Sequence, residues 1–206
     1  MPSLRPSRIP QAFSLLELLV VVAILSILAV AGATGLGSFS KNGDLNRAVA
    51  ETGGTFENAR QYAVTYNTHV YVGFAEVLQG GVKRLMIASF TAPDGVKPTG
   101  SSITVDGENL VSLSRPRTFA NVELGSSTAT GQASLEGSIP SIVLRVNGAD
   151  VNFSHVVGFT PSGEARVSAG KVPEIGFLLQ DARRANPMSY GFSVSGITGM
   201  LKVGPM

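Results

Sequence analysis

The pattern of hydrophobic and polar positions divides the chain into an apolar segment, an amphipathic segment and a series of short strands. No charged residue occurs between Leu18 and Ser40, and Leu18–Ala33 is almost wholly aliphatic. A helix over Phe13–Ala33 would be about 31 Å long at ~1.5 Å per residue, close to the thickness of a hydrocarbon core. Arg5 and Arg8 precede it without any acidic residue, and such a basic leader favours a cytoplasmic N-terminus. The pattern predicts one membrane segment with the rest of the chain exported.

The amphipathic segment begins after a glycine-rich stretch. Three glycines between residues 32 and 37, and the run Ser38–Gly43 behind them, predict that the first helix weakens or ends there. Asp44 can then cap a second helix. Its apolar positions recur at spacings of three and four: Leu45, Ala48, Val49, Thr52, Phe56, Ala59, Ala63 and Tyr66. Such a stripe is suited to packing on a sheet. Gly53-Gly54 lies inside it and indicates either a kink or a hinge.

Beyond Asn67, short runs rich in β-branched and aromatic residues alternate with turn residues. Strands are predicted at residues 69–74, 84–90, 142–146, 156–160, 175–179, 190–194 and 200–203. Asn147-Gly148 indicates a two-residue hairpin turn. We therefore predict an α+β fold, in which one long N-terminal helix, with a membrane half and an amphipathic half, packs on an antiparallel β-sheet or β-sandwich.

The stretch from residue 92 to residue 140 has a less definite pattern. Ser, Thr, Gly and Pro dominate it, with weak strand patterns at 103–105 and 118–124. Residues 125–134 predict a flexible surface loop. Edge strands and an insertion that contacts a partner are both compatible with this composition. Further along, Arg183-Arg184 after Asp181 indicates a solvated turn or, alternatively, a contact to a neighbouring subunit.

Composition and charge argue against several classes of function. The net charge of +2 is too small to indicate a nucleic-acid partner. Because there is no cysteine, disulfides and thiolate metal sites are excluded. His69 and His155 fall in different predicted strands and the acidic residues are too sparse for a calcium loop, so we expect neither a metal nor a cofactor. No nucleotide-binding or hydrolase motif occurs, and we expect no enzymatic activity.

Two main interpretations compete for the N-terminal segment. A conventional signal peptide also has a basic start, an apolar run and small residues at its cleavage site, and Ala31-Gly32-Ala33 supplies such a site. A plain membrane anchor is a third possibility. Glu17 favours a different interpretation. A carboxylate in an apolar membrane helix costs about 2.5–3.5 kcal/mol on insertion scales, and a signal peptide has no reason to carry that cost.

The segment Gln11-Ala12-Phe13-Ser14-Leu15-Leu16-Glu17 and the aliphatic run to Ala33 resemble the start of type IV pilin-like precursors. The resemblance implies cleavage by prepilin peptidase between Ala12 and Phe13, and N-methylation of Phe13. It also implies that Glu17, the fifth residue of the cut chain, serves assembly by pairing with the free α-amine of Phe13 on a neighbouring subunit. Ala12 departs from the family, which usually has Gly before the cut. The leader also resembles the prepilin-like proteins of the Verru_Chthon cassette group.

Three further segments resemble the H-type minor pseudopilins of type II secretion and related minor pilins. Residues 56–72 are similar to their helix-to-first-strand segment, residues 159–163 to a late strand and turn, and residues 190–203 to the closing hairpin. The resemblance implies a structural subunit of a periplasmic filament that serves type II protein secretion or type IV pilus biogenesis.

The predicted organisation is a prepilin leader peptide at residues 1–12, a transmembrane and assembly helix at 13–40, an amphipathic helix at 41–67 and a β-rich periplasmic domain at 68–206, with a flexible insertion around 92–140. The resemblance implies a single-pass protein of the bacterial inner membrane, with a cytoplasmic N-terminus. Its partners would be other pilins or pseudopilins through the N-terminal helix, prepilin peptidase and the inner-membrane assembly platform. The alternative is an exported β-rich binding domain that a conventional signal peptidase releases.

Overall fold

The computed structural model describes residues 15–100, 102–106, 109–126, 132–135, 141–167, 170–183 and 187–205, with the backbone alone for residues 29–42. The chain divides into two compact units, Met1–Lys41 and Asn42–Met206. Within the described residues, helix α1 (Leu15–Thr65) precedes thirteen strands. These are β1 (Val70–Gln79), β2 (Val82–Thr91), β3 (Ser102–Thr104), β4 (Val111–Ser112), β5 (Arg117–Ala120), β6 (Val122–Ser126), β7 (Ser141–Val146), β8 (Ala149–Phe153), β9 (His155–Phe159), β10 (Ala165–Arg166), β11 (Glu174–Asp181), β12 (Ser189–Ser195) and β13 (Leu201–Pro205).

Helix α1 is continuous from Leu15 to Thr65, so the predicted interruption between residues 32 and 43 is wrong. Asp44, predicted as the cap of a second helix, lies inside α1. The helix also continues through Gly53-Gly54. No proline occurs in this stretch, so no helical hydrogen bond is removed. Each glycine lowers helix stability by only about 1 kcal/mol relative to alanine, and cooperativity with the adjoining turns overcomes so weak a preference.

The C-terminus of α1 is closed by a left-handed residue. Asn67 has a φ of 51°, and the N–H of Thr68 donates to the carbonyl of Ala63 at 3.1 Å. This hydrogen bond across five residues, with a left-handed residue before the donor, is the Schellman arrangement that ends many helices. It turns the chain directly into β1.

The strands form three sheets. The first has the order β10-β9-β1-β2-β4, with β5 also paired to β2; the second has the order β13-β12-β11-β6, and the third β3-β7-β8. Among the described strands every pairing is antiparallel except that of β3 with β7. The predicted α+β class with mostly antiparallel strands is confirmed.

Two hairpins have the turns that the sequence indicates. Gly80 and Gly81 connect β1 to β2 with φ values of 61° and 76°. Asn147 and Gly148 connect β7 to β8 with φ values of 51° and 85°, as predicted. Positive φ at both central residues is the requirement of the type I′ turn, whose twist matches that of paired strands.

Strands β3 to β6 all lie between residues 92 and 140, where the sequence pattern is weakest. The predicted strand 118–124 is in fact two strands that belong to different sheets: β5 pairs with β2, and β6 pairs with β11. The change occurs at Asn121, which has a φ of 57°. The loop predicted at 125–134 is shorter than expected, because β6 extends to Ser126 and Ala133 forms a bridge with Ile175.

The larger of two cores joins the C-terminal part of α1 to the first two sheets. Phe56 of α1 lies at its centre. Its ring centroid is 6.0 Å from that of Phe74 in β1 and 5.8 Å from that of Phe159 in β9. It is also 5.6 Å from the ring of Phe177 in β11, which stacks on Phe192 of β12 at 4.8 Å. One helical side chain therefore holds two sheets together, and a fully buried Phe contributes about 1.5–3 kcal/mol by its burial.

A second core lies between the first sheet and the third. Phe90 of β2 meets Phe153 of β8 edge-on, with ring centroids 5.3 Å apart. Gly73 of β1 allows this close approach, since a Cβ at that position would lie 2.9 Å from the Cβ of Phe153. The first sheet is covered on both faces, which explains why the first six residues of β1 are all buried.

Candidate functional site

The N-terminal segment carries the predicted site residues. Ala12 and Phe13, the predicted cleavage site, lie outside the described residues. Glu17 lies in the first turn of α1 and is exposed, where a carboxylate interacts favourably with the positive end of the helix dipole. The pairing of Glu17 with the amine of Phe13 on a neighbouring subunit stays a prediction.

Glu17 is surrounded along the helix by exposed apolar side chains. The large apolar residues between Leu15 and Leu28 are exposed by 46 % to 82 % of their surface. They are Leu15, Leu16, Leu18, Leu19, Val20, Val21, Val22, Ile24, Leu25, Ile27 and Leu28. An apolar helix without a polar face is typical of helices that other apolar groups surround. We call residues 15–28 the apolar arm; Glu17 is its one charged residue.

Membrane crossing was predicted for this part of the chain. Within the described residues, no helix is long and apolar enough to span a membrane. The predicted single-pass topology is not confirmed.

The three segments that resemble H-type minor pseudopilins meet at one point of the globular unit. Arg60 of α1 donates from Nε to the carbonyl of Thr198 at 2.7 Å. Gly199, in the same turn, has a φ of 65°, and a Cβ there would collide with the carbonyl oxygen of Gly163. We call this contact of helix, late turn and closing hairpin the Arg60 junction. Sequence reasoning missed it, because nothing local marks Arg60 as a bridging residue.

A groove of about 500 Å³ follows α1 beside Gly54. Arg117, at the start of β5, forms an ion pair with Glu51 of α1 at 2.9 Å. The guanidinium of Arg47 lies 6.0 Å from the ring centroid of Phe119, within reach of a cation–π interaction. These contacts fix β5 on the helix and include no nucleophile with an adjacent base.

Arg183 is exposed in the turn that follows β11, as predicted, and also pairs with a buried carboxylate. Its Nε and Nη2 donate to the two carboxylate oxygens of Asp181 at 2.8 Å each. Asp181 is 2 % exposed, and a buried carboxylate needs such a partner. The hydrogen bond that Arg183 donates to Asp181 raises the pKa of the guanidinium. The predicted solvated turn is therefore confirmed for Arg183, which in addition neutralises a buried carboxylate; Arg184 lies outside the described residues.

The described residues include no group of three or more His, Cys, Asp or Glu side chains placed to hold a metal ion. His155 lies opposite Phe74 in the pairing of β9 with β1, and its Nδ1 is 3.0 Å from the hydroxyl of Ser154. His69 immediately precedes β1 and is half-buried. The two histidines therefore lie in different surroundings.

The N-terminal segment matches a known family model. Residues 8–33 match the prokaryotic N-terminal methylation motif, a range that contains Ala12, Phe13 and Glu17. Comparisons with curated proteins and with solved structures found no match. Release by a conventional signal peptidase is not favoured by this motif. The match supports a type IV pilin-like precursor that prepilin peptidase cuts and that is methylated at its new N-terminus.

Proposed function

We propose that the chain is a minor pilin or pseudopilin, a structural subunit of a periplasmic filament that serves type II protein secretion or type IV pilus biogenesis. The observation that carries the proposal is the methylation motif over residues 8–33. In this proposal the subunit is inserted in the bacterial inner membrane with a cytoplasmic N-terminus. Prepilin peptidase removes residues 1–12, Phe13 is methylated, and the assembly platform adds the subunit to the filament.

The apolar arm supports an assembly role. Its large side chains are exposed in the isolated chain, and exposed apolar surface of this extent marks an interaction site. Helices of neighbouring subunits would cover it. In the proposed arrangement α1 is one long element, whose N-terminal part contacts other subunits and whose C-terminal part belongs to the globular unit through Phe56.

Glu17 supplies the register between subunits. Within apolar surroundings a carboxylate and an α-amine are each costly when alone. They neutralise each other only when the amine of Phe13 in one subunit reaches Glu17 of the next. Subunits stacked in any other register would leave two unpaired charges, so the pair selects the correct one.

The Arg60 junction supports the finer assignment to an H-type minor subunit. The helix, the late turn and the closing hairpin are far apart in sequence, yet Arg60 bonds to Thr198 and Gly199 packs against Gly163. The three segments that resemble H-type minor pseudopilins therefore contact one another in the fold, as we expect if their likeness comes from a common structure.

The N-terminus of the mature protein tests the processing step. The full chain is produced together with a prepilin peptidase, and the N-terminal peptide of the membrane fraction is analysed by mass spectrometry. We expect a methylated Phe13. An Ala12→Gly variant, which has the residue usual in the family, should be cut at least as completely. A mature chain that begins at Thr34 would overturn the proposal in favour of a released binding domain.

Glu17→Val tests the assembly step. Insertion and cleavage should remain, whereas incorporation into the filament, measured by shearing and immunoblotting, should be lost because the amine of Phe13 has no partner. Glu57→Val is the matched control, since it makes the same change at an exposed position of α1 in the globular unit. Normal incorporation of Glu17→Val, or equal loss in both variants, would contradict the pairing.

A further inference from the structure

We propose that the first sheet carries a binding pocket for a single carboxylate group, centred on Gly158. The proposal concerns the globular unit and does not depend on the filament role. Below, the Gly158 pocket means the cavity of about 40 Å³ lined by His69, Tyr71, Lys97, Gly158, Phe159, Thr160 and Arg166.

The register of three strands creates the pocket. Gly158 of β9 lies opposite Tyr71 of β1 on one side and opposite Arg166 of β10 on the other. Residues in one such row point to the same face of the sheet, and neighbouring strands are about 4.7–4.9 Å apart. Tyr71 and Arg166 therefore flank a position that has no side chain. The gap is the floor of the pocket.

Two more basic groups complete the lining. His69 precedes Tyr71 by two residues, so the alternation of a strand places both on the same face. Lys97 reaches the pocket from the segment that follows β2. A water molecule needs about 10–15 Å³ of such a cavity, so the pocket has room for roughly the three heavy atoms of a carboxylate. The pocket is partly open to solvent, so the rest of a molecule that carries the carboxylate can lie outside it.

Four side chains that line the pocket carry hydrogen-bond donors: Tyr71, His69, Lys97 and Arg166. Tyr71 is 4 % exposed, and its hydroxyl has no hydrogen-bond partner among the described residues. The ring nitrogens of the half-buried His69 and the ammonium of the exposed Lys97 likewise have no partner among the described residues. The Nε of Arg166 is buried and likewise lacks a partner in the described part of the chain. A buried donor without an acceptor, such as the Nε of Arg166, is unfavourable, and a carboxylate is a group that only accepts.

The charge of the site complements an anion. Glu164, an acidic residue that contacts the lining, forms ion pairs with Arg166 at 2.7 Å and with Lys171 at 2.8 Å. Burial, together with the charges of Lys97 and Arg166, lowers the pKa of His69. Burial raises the pKa of Tyr71 to about 12, which keeps its hydroxyl protonated as a donor. Lys97 and Arg166 thus give the pocket a positive potential, and the Tyr71 hydroxyl adds a neutral donor.

Acetate is the probe for the first experiment. The full chain is prepared in an uncharged detergent with isotope-labelled histidine and titrated with acetate against chloride, at constant pH and ionic strength. Because the chain has two histidines, the ring signals of His69 report the pocket and those of His155 serve as an internal reference. We expect a saturable shift at His69 and none at His155.

Three variants separate the pocket from general charge effects. Lys97→Gln should weaken acetate binding about tenfold, because it removes a charge-assisted hydrogen bond. Gly158→Val should abolish binding while keeping every charge, because its side chain fills the gap. Lys171→Gln is the matched control: it removes one positive charge nearby from a residue that does not line the pocket. Absence of a saturable shift, or equal weakening by Lys97→Gln and Lys171→Gln, would overturn the proposal.

The carboxylate can come from a free acid or from an Asp or Glu side chain of a neighbouring subunit. Carbodiimide treatment of membranes that contain the assembled full-length protein distinguishes the two sources, because it joins an amine to a carboxylate in direct contact. A cross-link that Lys97→Gln abolishes identifies a partner side chain. Acetate binding without such a cross-link assigns the pocket to a free acid. Since the acetate titration needs no filament, its outcome is independent of the proposed function.

Discussion

Large apolar side chains are exposed in the apolar arm and buried in the globular unit. Between residues 15 and 28 they face outward, whereas Phe56, on the same helix, is 1 % exposed and contacts two sheets. The amino-acid types hardly differ between the two regions; what differs is whether the chain itself supplies the covering surface. The comparison teaches that residues 42–206 have their core within the chain, while the chain leaves the apolar side chains of the arm exposed.

The largest expected effect tests this comparison directly. Phe56→Ala should lower the free energy of unfolding by about 3–5 kcal/mol, because it leaves a cavity where a helix and two sheets meet. Leu25→Ala, a similar truncation on the arm, should change it by less than about 0.5 kcal/mol. Chemical unfolding of the full chain in detergent, followed by circular dichroism, measures both. Equal losses would show that the arm is also packed within its own chain.

Much of the larger core could be predicted from helical periodicity. The stripe that contains Phe56 is visible in the sequence because a helix repeats every 3.6 residues, and local spacing is enough to define it. The continuity of α1 could not be predicted, since the glycines between residues 32 and 37 weaken a helix without forbidding it. The division of residues 118–124 between two sheets could not be predicted either, because it depends on pairing with strands that are distant in sequence.

The Arg60 junction provides the next test, at a site where the globular unit holds distant segments together. Gly199→Ala should lower the free energy of unfolding by about 2–4 kcal/mol, because a left-handed residue gains a Cβ and that atom collides with Gly163. Gly80→Ala is the matched control, with a similar φ of 61° and open space around its Cβ position. It should cost only about 1 kcal/mol from backbone strain.

Thermal unfolding of the two glycine variants in parallel measures the difference. If Gly80→Ala were as destabilising as Gly199→Ala, backbone strain alone would explain both, and the packing of the closing hairpin on the late turn would not contribute.

The candidate sites differ in how far the sequence reveals them. Phe13 and Glu17 belong to one short segment, so their chemistry can be predicted from consecutive residues. The Gly158 pocket cannot be found in this way. His69 and Tyr71 show the alternation of a strand, but Arg166 and Lys97 join them only through the register of β10 and the path of the chain after β2. Long-range pairing, which local patterns do not encode, assembles that site.

A smaller effect is expected at a buried polar group of α1. Thr52 is fully buried, and its hydroxyl has no hydrogen-bond partner among the described residues. Thr52→Val keeps the shape of the side chain and should raise the free energy of unfolding by about 1 kcal/mol, since it removes an unsatisfied polar atom from the core. Thr55→Val is the control, because the hydroxyl of Thr55 donates to the carbonyl of Glu51 at 2.8 Å. A gain of the same size at both positions would mean that increased hydrophobicity, and not the missing partner, is responsible.

The smallest expected effect is a pH dependence that belongs to the globular unit alone. Burial, with the charges of Lys97 and Arg166, lowers the pKa of His69 from its ordinary value of 6.5. Below about pH 6.5 the unfolded chain therefore binds a proton more readily than the folded one, and stability falls as the pH is lowered through that range.

The carboxylates whose pKa values are lowered in the fold, those of Glu123, Glu164 and Glu174, lose their contribution only below their ordinary value of 4.5. They leave the window from about pH 5.5 to about pH 7.5 to His69. In that window His69→Gln should flatten the dependence of the unfolding free energy on pH, and His155→Gln serves as the matched control. If the unfolding free energy of His69→Gln kept the full pH dependence, the surroundings of His69 would not oppose its protonation. The positive potential that Lys97 and Arg166 produce at the Gly158 pocket would then be weaker than proposed.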